Sequence, residues 1–161
     1  MRAARSAFYN LAALQVCTII ARNYLGQAEV LAESFREHHP DGSMTVLVMD
    51  DREGQVESRP GLYDVVRPED LPIPRFEGMA AMYEITELCT AVKPWLLRHL
   101  LDAGDPVAYF DPDICFYDSV DELDALAREH QIVLIPHITR PLPGDGHTPD
   151  DVFVTNTSSG V

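Results

Sequence analysis

The chain has 161 residues, of which 46% are apolar and 24% charged, a composition that builds one globular domain with a core and excludes a disordered polymer. A formal net charge of −14 excludes the basic footprint that nucleic acid or an anionic membrane requires, although a metal ion could still seat a nucleotide diphosphate in an acidic protein. Cys17, Cys89 and Cys115 show neither CxxC nor zinc-type spacing, and read as buried free thiols in a reducing, cytoplasmic setting.

In chain order, Arg2 and Arg5 precede an apolar stretch, LAALQVCTIIA (Leu11 to Ala21), with the outline of a signal peptide. Gln15 interrupts it, and it is too short to cross a bilayer. No transmembrane segment is expected. VCTIIA (Val16 to Ala21) is instead a run of β-branched residues suited to a fully buried strand. Asn23 can cap the helix that follows. From Leu25 to His38, Ala28, Leu31, Ala32 and Phe35 recur at helical spacing, with Glu29, Glu33, Arg36 and Glu37 on the wet side. PDGS (Pro40 to Ser43) is a turn, and MTVLVMD (Met44 to Asp50) a second buried strand. A strand, a helix and a strand of this kind predict a parallel pair.

DREGQVESRPG (Asp51 to Gly61) reads as a polar loop, LYDVV (Leu62 to Val66) as a weak strand, and RPEDLPIPRF (Arg67 to Phe76) as extended chain. Proline belongs in a first helical turn. Pro94 therefore predicts two helices, Glu77 to Thr90 and Lys93 or Pro94 to Ala103, the second closed by Gly104. PVAYF (Pro106 to Phe110) is a strand. Ser119 to Glu122 has the form of a capping box starting a helix to about Glu129, and IVLIP (Ile132 to Pro136) is another buried strand. Residues 139–161 form a loop-rich tail. The whole predicts one α/β domain, 1–161, with a core over about 15–136 and a mostly parallel, doubly wound sheet carrying helices on both faces.

Ligands of such sheets bind beyond the carboxyl ends of the strands, where strand order reverses. Asp50, Asp51, Asp111 and Asp113 each follow a strand end. Asp111 and Asp113 flank Pro112, which stiffens the chain. In extended chain, residues two apart point the same way. Two converging carboxylates repel unless a cation lies between them, and hard oxygen ligands suit Mg²⁺ or Mn²⁺. The bland alternative is a solvated Asp-Pro-Asp turn.

TAVKPWLLRHLLDAGDPVAYFDPDICFYDSVDEL resembles the core of GT-A-fold nucleotide-sugar glycosyltransferases, the glycogenin-like and lipopolysaccharide galactosyltransferase-like group. There a helix with a basic residue precedes a strand ending in D-x-D. The stretch from Val16 to Asp51 resembles the opening β-α-β unit of the same group, and the likeness runs from about Val16 to Pro136. It implies a GT-A-like fold and transfer of a hexose from a nucleotide diphosphate sugar, a UDP-sugar above all, to an acceptor. It implies that Asp111 and Asp113 bind Mn²⁺ or Mg²⁺, with Asp111 also near the ribose. It places Ala21, Asn23 and Tyr24 in the nucleoside pocket and Lys93 near the diphosphate or donor sugar; Asp51, as a residue that follows a strand end, is a further substrate-binding candidate. Lys93 would also lie beside a helix N-terminus, which favours anions.

TNTSSG (Thr155 to Gly160) resembles the family's donor-sugar segment with its glycine displaced, which makes Asn156 a substrate-binding candidate. The family's third metal ligand, a later histidine, and its acceptor region find no counterpart before Val161; neither His137 nor His147 matches that position. The sheet is accordingly expected to be incomplete at its C-terminal end, and surface so left uncovered would drive self-association. No residue stands out as a catalytic base or nucleophile.

Two other readings compete. An apolar strand ending in D-x-D also resembles haloacid-dehalogenase-like phosphatases, but Cys115 stands where these carry threonine or valine, and their motif lies on the first strand. The third reading is a catalytically incomplete nucleotide-binding fragment.

Overall fold

The computed structural model describes residues 14–51 and 53–135. Four strands form one parallel sheet: β1 (Gln15–Ile20), β2 (Ser43–Val48), β3 (Asp64–Val66) and β4 (Val107–Tyr109). Their order is β3-β2-β1-β4. The helices are α1 (Leu25–His38), α2 (Phe76–Met82), α3 (Ile85–Leu101) and α4 (Asp121–Glu129). Among the described residues no helix is long and apolar enough to cross a membrane.

The two-residue period of the strands sorts the core into halves. Val16 and Ile20 of β1, with Met44, Val46 and Val48 of β2, meet α1 on one face. Cys17, Ile19, Leu47 and Met49 meet α3 on the other. The helical stripe read from sequence is the one buried, since Ala28, Leu31, Ala32 and Phe35 are each 0–1% exposed. Each large side chain so buried stabilises the fold by about 1.5–3 kcal/mol. The return to β2 is equally close. A Cβ on Gly42 would lie 2.6 Å from the Phe35 ring, so only glycine lets the turn pass.

Several boundaries differ from the sequence expectation. Asn23 does not cap α1. It lies in a 3₁₀ turn, Arg22–Tyr24, and the residue preceding the helix is Tyr24, without a side-chain cap. The break in the 76–103 segment falls at Tyr83 and Glu84, not at Pro94. There the Glu87 carboxylate accepts a hydrogen bond from the Glu84 N–H at 3.1 Å. Pro94 is interior to α3 and exposed. It deprives the Thr90 carbonyl of a partner, but Thr90 is also exposed and water can serve it, while Val92 and Leu96 on either side are fully buried. Packing thus outweighs the proline penalty. Pro94→Ala is expected to raise stability by about 2 kcal/mol, the helix gain less the entropy restored to the unfolded chain, as read by urea unfolding.

The cap of α4 shifts by one residue: Val120 precedes the helix, and its N–H donates to His39 Nε2 at 2.9 Å. Gly104 behaves as expected, with φ +92° just beyond α3. RPEDLPIPRF is not uniformly extended, because Pro68–Asp70 forms a 3₁₀ turn. The expected strand at Ile132 is absent: residues 131–135 carry no strand, and Ile132, Leu134 and Ile135 are 77%, 69% and 70% exposed. An apolar β-branched run becomes a strand only where a neighbour pairs with it, and among the described residues none does.

Candidate functional site

The chain steps from β1 to β2 on one side and places β4 on the other side of β1. The crevice beyond the carboxyl ends of β1 and β4 is therefore the switch point of the sheet. Three segments reach this rim: residues 21–24 after β1, Asp50 and Asp51 after β2, and the Asp-Pro-Asp segment after β4.

Asp111 and Asp113 do not lie in extended chain. The Ile114 N–H donates to the Asp111 carbonyl at 3.2 Å, so Asp111 to Ile114 is a β-turn with Pro112 in the position that favours proline. A Pro-containing turn at a strand end needs less backbone extension than the two-residue pleat assumed. Both aspartates are exposed. The turn is held at either end. Before it, the Phe110 N–H donates to the Cys17 carbonyl at 3.0 Å. After it, the Phe116 N–H donates to Ser34 Oγ at 3.1 Å, and the Phe116 ring lies 5.5 Å from Phe35 and 4.9 Å from Phe110. The carboxylates thus sit on a turn pinned to β1 and to α1.

Lys93 lies in the interior of α3, two turns from the helix start, so the argument from a helix N-terminus does not apply to it. Its Nζ instead sits 3.9 Å from the centroid of the Tyr109 ring, a cation–π contact. Burial raises the Tyr109 phenol far above its ordinary value, and the Asp111 carboxylate adds to this by its charge and as acceptor for the hydroxyl. Burial likewise raises the Cys89 thiol to about 11, helped by the negative charge of Asp50 and opposed by Lys93. Cys17 is pushed up to about 12 by burial, again opposed by Lys93. These couplings describe one neighbourhood in which the Lys93 ammonium lies among Tyr109, Cys17 and Cys89, with the carboxylates of Asp50 and Asp111 at its edge.

Asp50 is held by Arg22, whose backbone N–H donates to Oδ1 at 2.7 Å and whose Nε lies 3.7 Å from Oδ2. Ala21 is half-buried, and Asn23 and Tyr24 are exposed on the adjoining 3₁₀ turn. Asp51 has a different environment. Its side chain is fully buried, and it accepts from the N–H groups of Gln55 (2.8 Å) and Val56 (3.1 Å) and from Arg67 Nε (3.1 Å). Burial alone would raise its pKa, but the Val56 and Gln55 N–H groups and the Arg67 guanidinium outweigh it and hold the carboxyl below its usual range. Asn156, His137 and His147 lie outside the described residues.

Asp50 and Asp111 thus each follow a strand that ends at this rim, with Asp113 on the same turn as Asp111, and Lys93 approaches from α3 against the Tyr109 ring. Sequence reasoning missed Arg22 and Tyr109. The signal for Tyr109 was its place at the end of the predicted strand, two residues before Asp111. Among the described residues no group of three or more His, Cys, Asp or Glu side chains converges to hold a metal. The hard carboxylate donors present suit Mg²⁺ or Mn²⁺, ions that leave several positions to water and phosphate.

No protein-family model and no curated protein matches the chain significantly. Two solved structures are similar to it. One is the galactosyltransferase LgtC in complex with donor and acceptor sugar analogues, the other an active-site mutant of LgtC. In each case the TM-score is 0.50 and the identity 21%, over 68% of this chain and 41% of LgtC. The chain thus spans about two fifths of the length of these proteins. At this identity the likeness is one of fold: a parallel α/β sheet of the GT-A type.

Proposed function

We propose that this chain is the donor-binding part of a metal-dependent glycosyltransferase that transfers a hexose from a nucleotide diphosphate sugar, a UDP-sugar in the first instance. The observation that carries the proposal is the pinned turn bearing Asp111 and Asp113 at the switch point of a GT-A-type sheet, with Lys93 held against Tyr109 at the end of the same strand. The likeness to LgtC in fold supports it.

In this reading Asp111 and Asp113 would hold Mn²⁺ or Mg²⁺. When bound, the ion supplies Lewis-acid stabilisation of the departing diphosphate. The rest falls to the chain. Ala21, Asn23 and Tyr24 line the space for the nucleoside beyond β1. The Asp111 carboxylate follows directly on the strand whose last residue, Tyr109, carries the Lys93 ammonium on its ring. Lys93 offers a cation toward the diphosphate or the donor sugar, from a position fixed by the Tyr109 ring. Asp51 serves the site indirectly, by bracing the 51–56 loop against Arg67 so that Asp50 stays at the rim.

A transferase donor site and a phosphatase differ in what they do to a simple phosphate ester. With Mg²⁺ and p-nitrophenyl phosphate, no phosphate release above background is expected. Turnover that disappears in Asp111→Asn would overturn the transferase reading in favour of a phosphoryl-accepting aspartate.

A further inference from the structure

His39 closes α1 and reaches α4. Its N–H donates to the Phe35 carbonyl at 2.8 Å, ending the helix, and its side chain is 9% exposed. The ring stacks on Phe35, with centroids 5.1 Å apart, and lies near-perpendicular to Phe116 at 6.5 Å. Each ring nitrogen has its own partner. Nε2 accepts the Val120 N–H at 2.9 Å, and Nδ1 lies 3.7 Å from a carboxylate oxygen of Asp121. To accept, Nε2 must carry a lone pair, so the proton of the neutral ring sits on Nδ1, facing the carboxylate. Both contacts demand the same tautomer. α4 has little else to hold it. Apart from Asp124, which is paired with Arg128, every residue from Asp121 to Glu129 is exposed or half-buried. A helix of 9 residues is marginal in water without tertiary contacts, so its attachment is sensitive to one hydrogen bond at its start.

We propose that His39 is a pH-operated latch: the neutral ring fastens the start of α4 to the end of α1, and protonation releases it. An imidazolium carries a proton on both nitrogens, so Nε2 would turn a donor toward the Val120 donor, and that N–H would lose its acceptor. Protonation would also bring positive charge to a helix N-terminus, which disfavours it. Two groups act the other way. Asp121 attracts the imidazolium, but its side chain is 83% exposed, where water and salt screen an ion pair. The C-terminus of α1 favours a cation, but its Phe35 carbonyl is already taken by the His39 N–H. The other charged side chains nearby are engaged or turned to solvent. Arg36 donates to the Pro40 carbonyl, Asp118 accepts from the Ser119 N–H, and Asp124 is paired with Arg128. Asp41 and Glu122 are exposed, and His38 is half-buried in the last turn of α1. The docked form therefore binds fewer protons than the released one. Docking is complete at high pH and is lost as pH falls through the range, roughly 5 to 8, in which histidine changes charge. The release reaches beyond α4. Phe116, packed against the His39 ring, follows the turn that carries Asp111 and Asp113, and its N–H is held by Ser34 of α1. Acid is thus expected to loosen that turn as well. The consequence for nucleotide binding rests on the donor-site reading; the latch itself does not.

The test is an NMR titration of the whole isotope-labelled chain from about pH 8 to about pH 5. At the alkaline end the His39 ring is expected to show the Nδ1–H tautomer. As the ring titrates, the Val120 amide and the amides of α4 should move with the same midpoint. The exchange protection of amides 124–129, corrected for the intrinsic effect of pH, should fall by about tenfold, the scale of one lost buried acceptor. In His39→Gln, whose side-chain carbonyl accepts at any pH, the α4 amides should not respond over this range. An Nε2–H tautomer in the wild-type protein overturns the latch whether or not the variant folds. So does a ring that stays neutral throughout, a Val120 amide that ignores the ring's titration, or the same pH response in His39→Gln. Mn²⁺-dependent UDP binding, measured at both ends of the titration, keeps the two readings apart. A larger fall with acid in wild type than in His39→Gln ties the latch to the donor site, and equal falls overturn that tie. No nucleotide binding at any pH sinks the donor site without touching the latch.

Discussion

Asp113→Asn is expected to weaken Mn²⁺-dependent binding of UDP by on the order of 100-fold or more, the scale on which disturbing a metal site acts, with the fold unchanged. Asp113 is exposed on the turn after β4 and makes no hydrogen bond that the fold depends on. Surface substitutions of this kind move stability by no more than about 0.5 kcal/mol. Asparagine keeps the size and one acceptor oxygen but removes the charge that a divalent cation requires. Calorimetric titration of UDP, with and without Mn²⁺, compares the two proteins. Equal affinity in both would remove Asp113 from the metal site. A parallel loss in Asp111→Asn would place both aspartates on one ion, whereas a loss in Asp111→Asn alone would leave a single-carboxylate site.

The second large effect is on stability. Asp51→Ala is expected to cost about 3 kcal/mol, because it removes the acceptor of two loop N–H groups and the carboxylate opposite the half-buried Arg67 guanidinium, which keeps only its bond to the Val56 carbonyl. The pH dependence has a definite sign. The folded-state pKa of Asp51 is depressed, so its contribution is fully present above the unfolded carboxylate value of about 3.9 and is lost as pH falls through the folded value. In urea unfolding, the stability gap between wild type and Asp51→Ala should therefore be full at pH 7 and narrow on acidification below about pH 4. A gap under about 1 kcal/mol, or one that does not change with pH, would show that the Asp51–Arg67 pair does not brace the loop. Since Asp51 adjoins Asp50 in sequence, loss of the brace should also loosen the Arg22 contact to Asp50 at the rim.

What could be read from sequence was what short-range periodicity encodes. The Ala28, Leu31, Ala32 and Phe35 stripe specified the buried face of α1, and the unbroken β-branched runs specified β1 and β2 as strands buried on both sides. The D-x-D at the end of β4 was legible as a strand-end pair, and the sheet does bring its first aspartate to the rim. The failures share a physical cause: local preference was read where a distant partner decided. Pro94 has a strong local meaning, but the buried Val92 and Leu96 carried α3 through it. Ser119 fits a capping box, but His39, 81 residues away from Val120, took the N–H that defines the helix start. Ile132 to Ile135 has the composition of a core strand and no strand beside it among the described residues.

The site shows the same limit. Asp51 looked like its neighbour Asp50, and only the contact with Arg67, 16 residues on, separates a bracing carboxylate from one at the rim. Lys93 was singled out by resemblance, and the local reason offered for it fails, since it lies against the Tyr109 ring inside α3 and not at a helix end.

The central claim is that the rim between β1 and β4 holds a nucleoside diphosphate through a divalent cation. A thermal-shift titration of UDP, GDP and ADP, each with and without Mn²⁺, addresses it most directly, because a ligand that binds only the folded state raises its stability by mass action. The account predicts a rise of a few degrees for at least one nucleotide, largest for UDP, seen only when Mn²⁺ is also present. No shift with any of the three, or the same shift with the metal chelated, would contradict it.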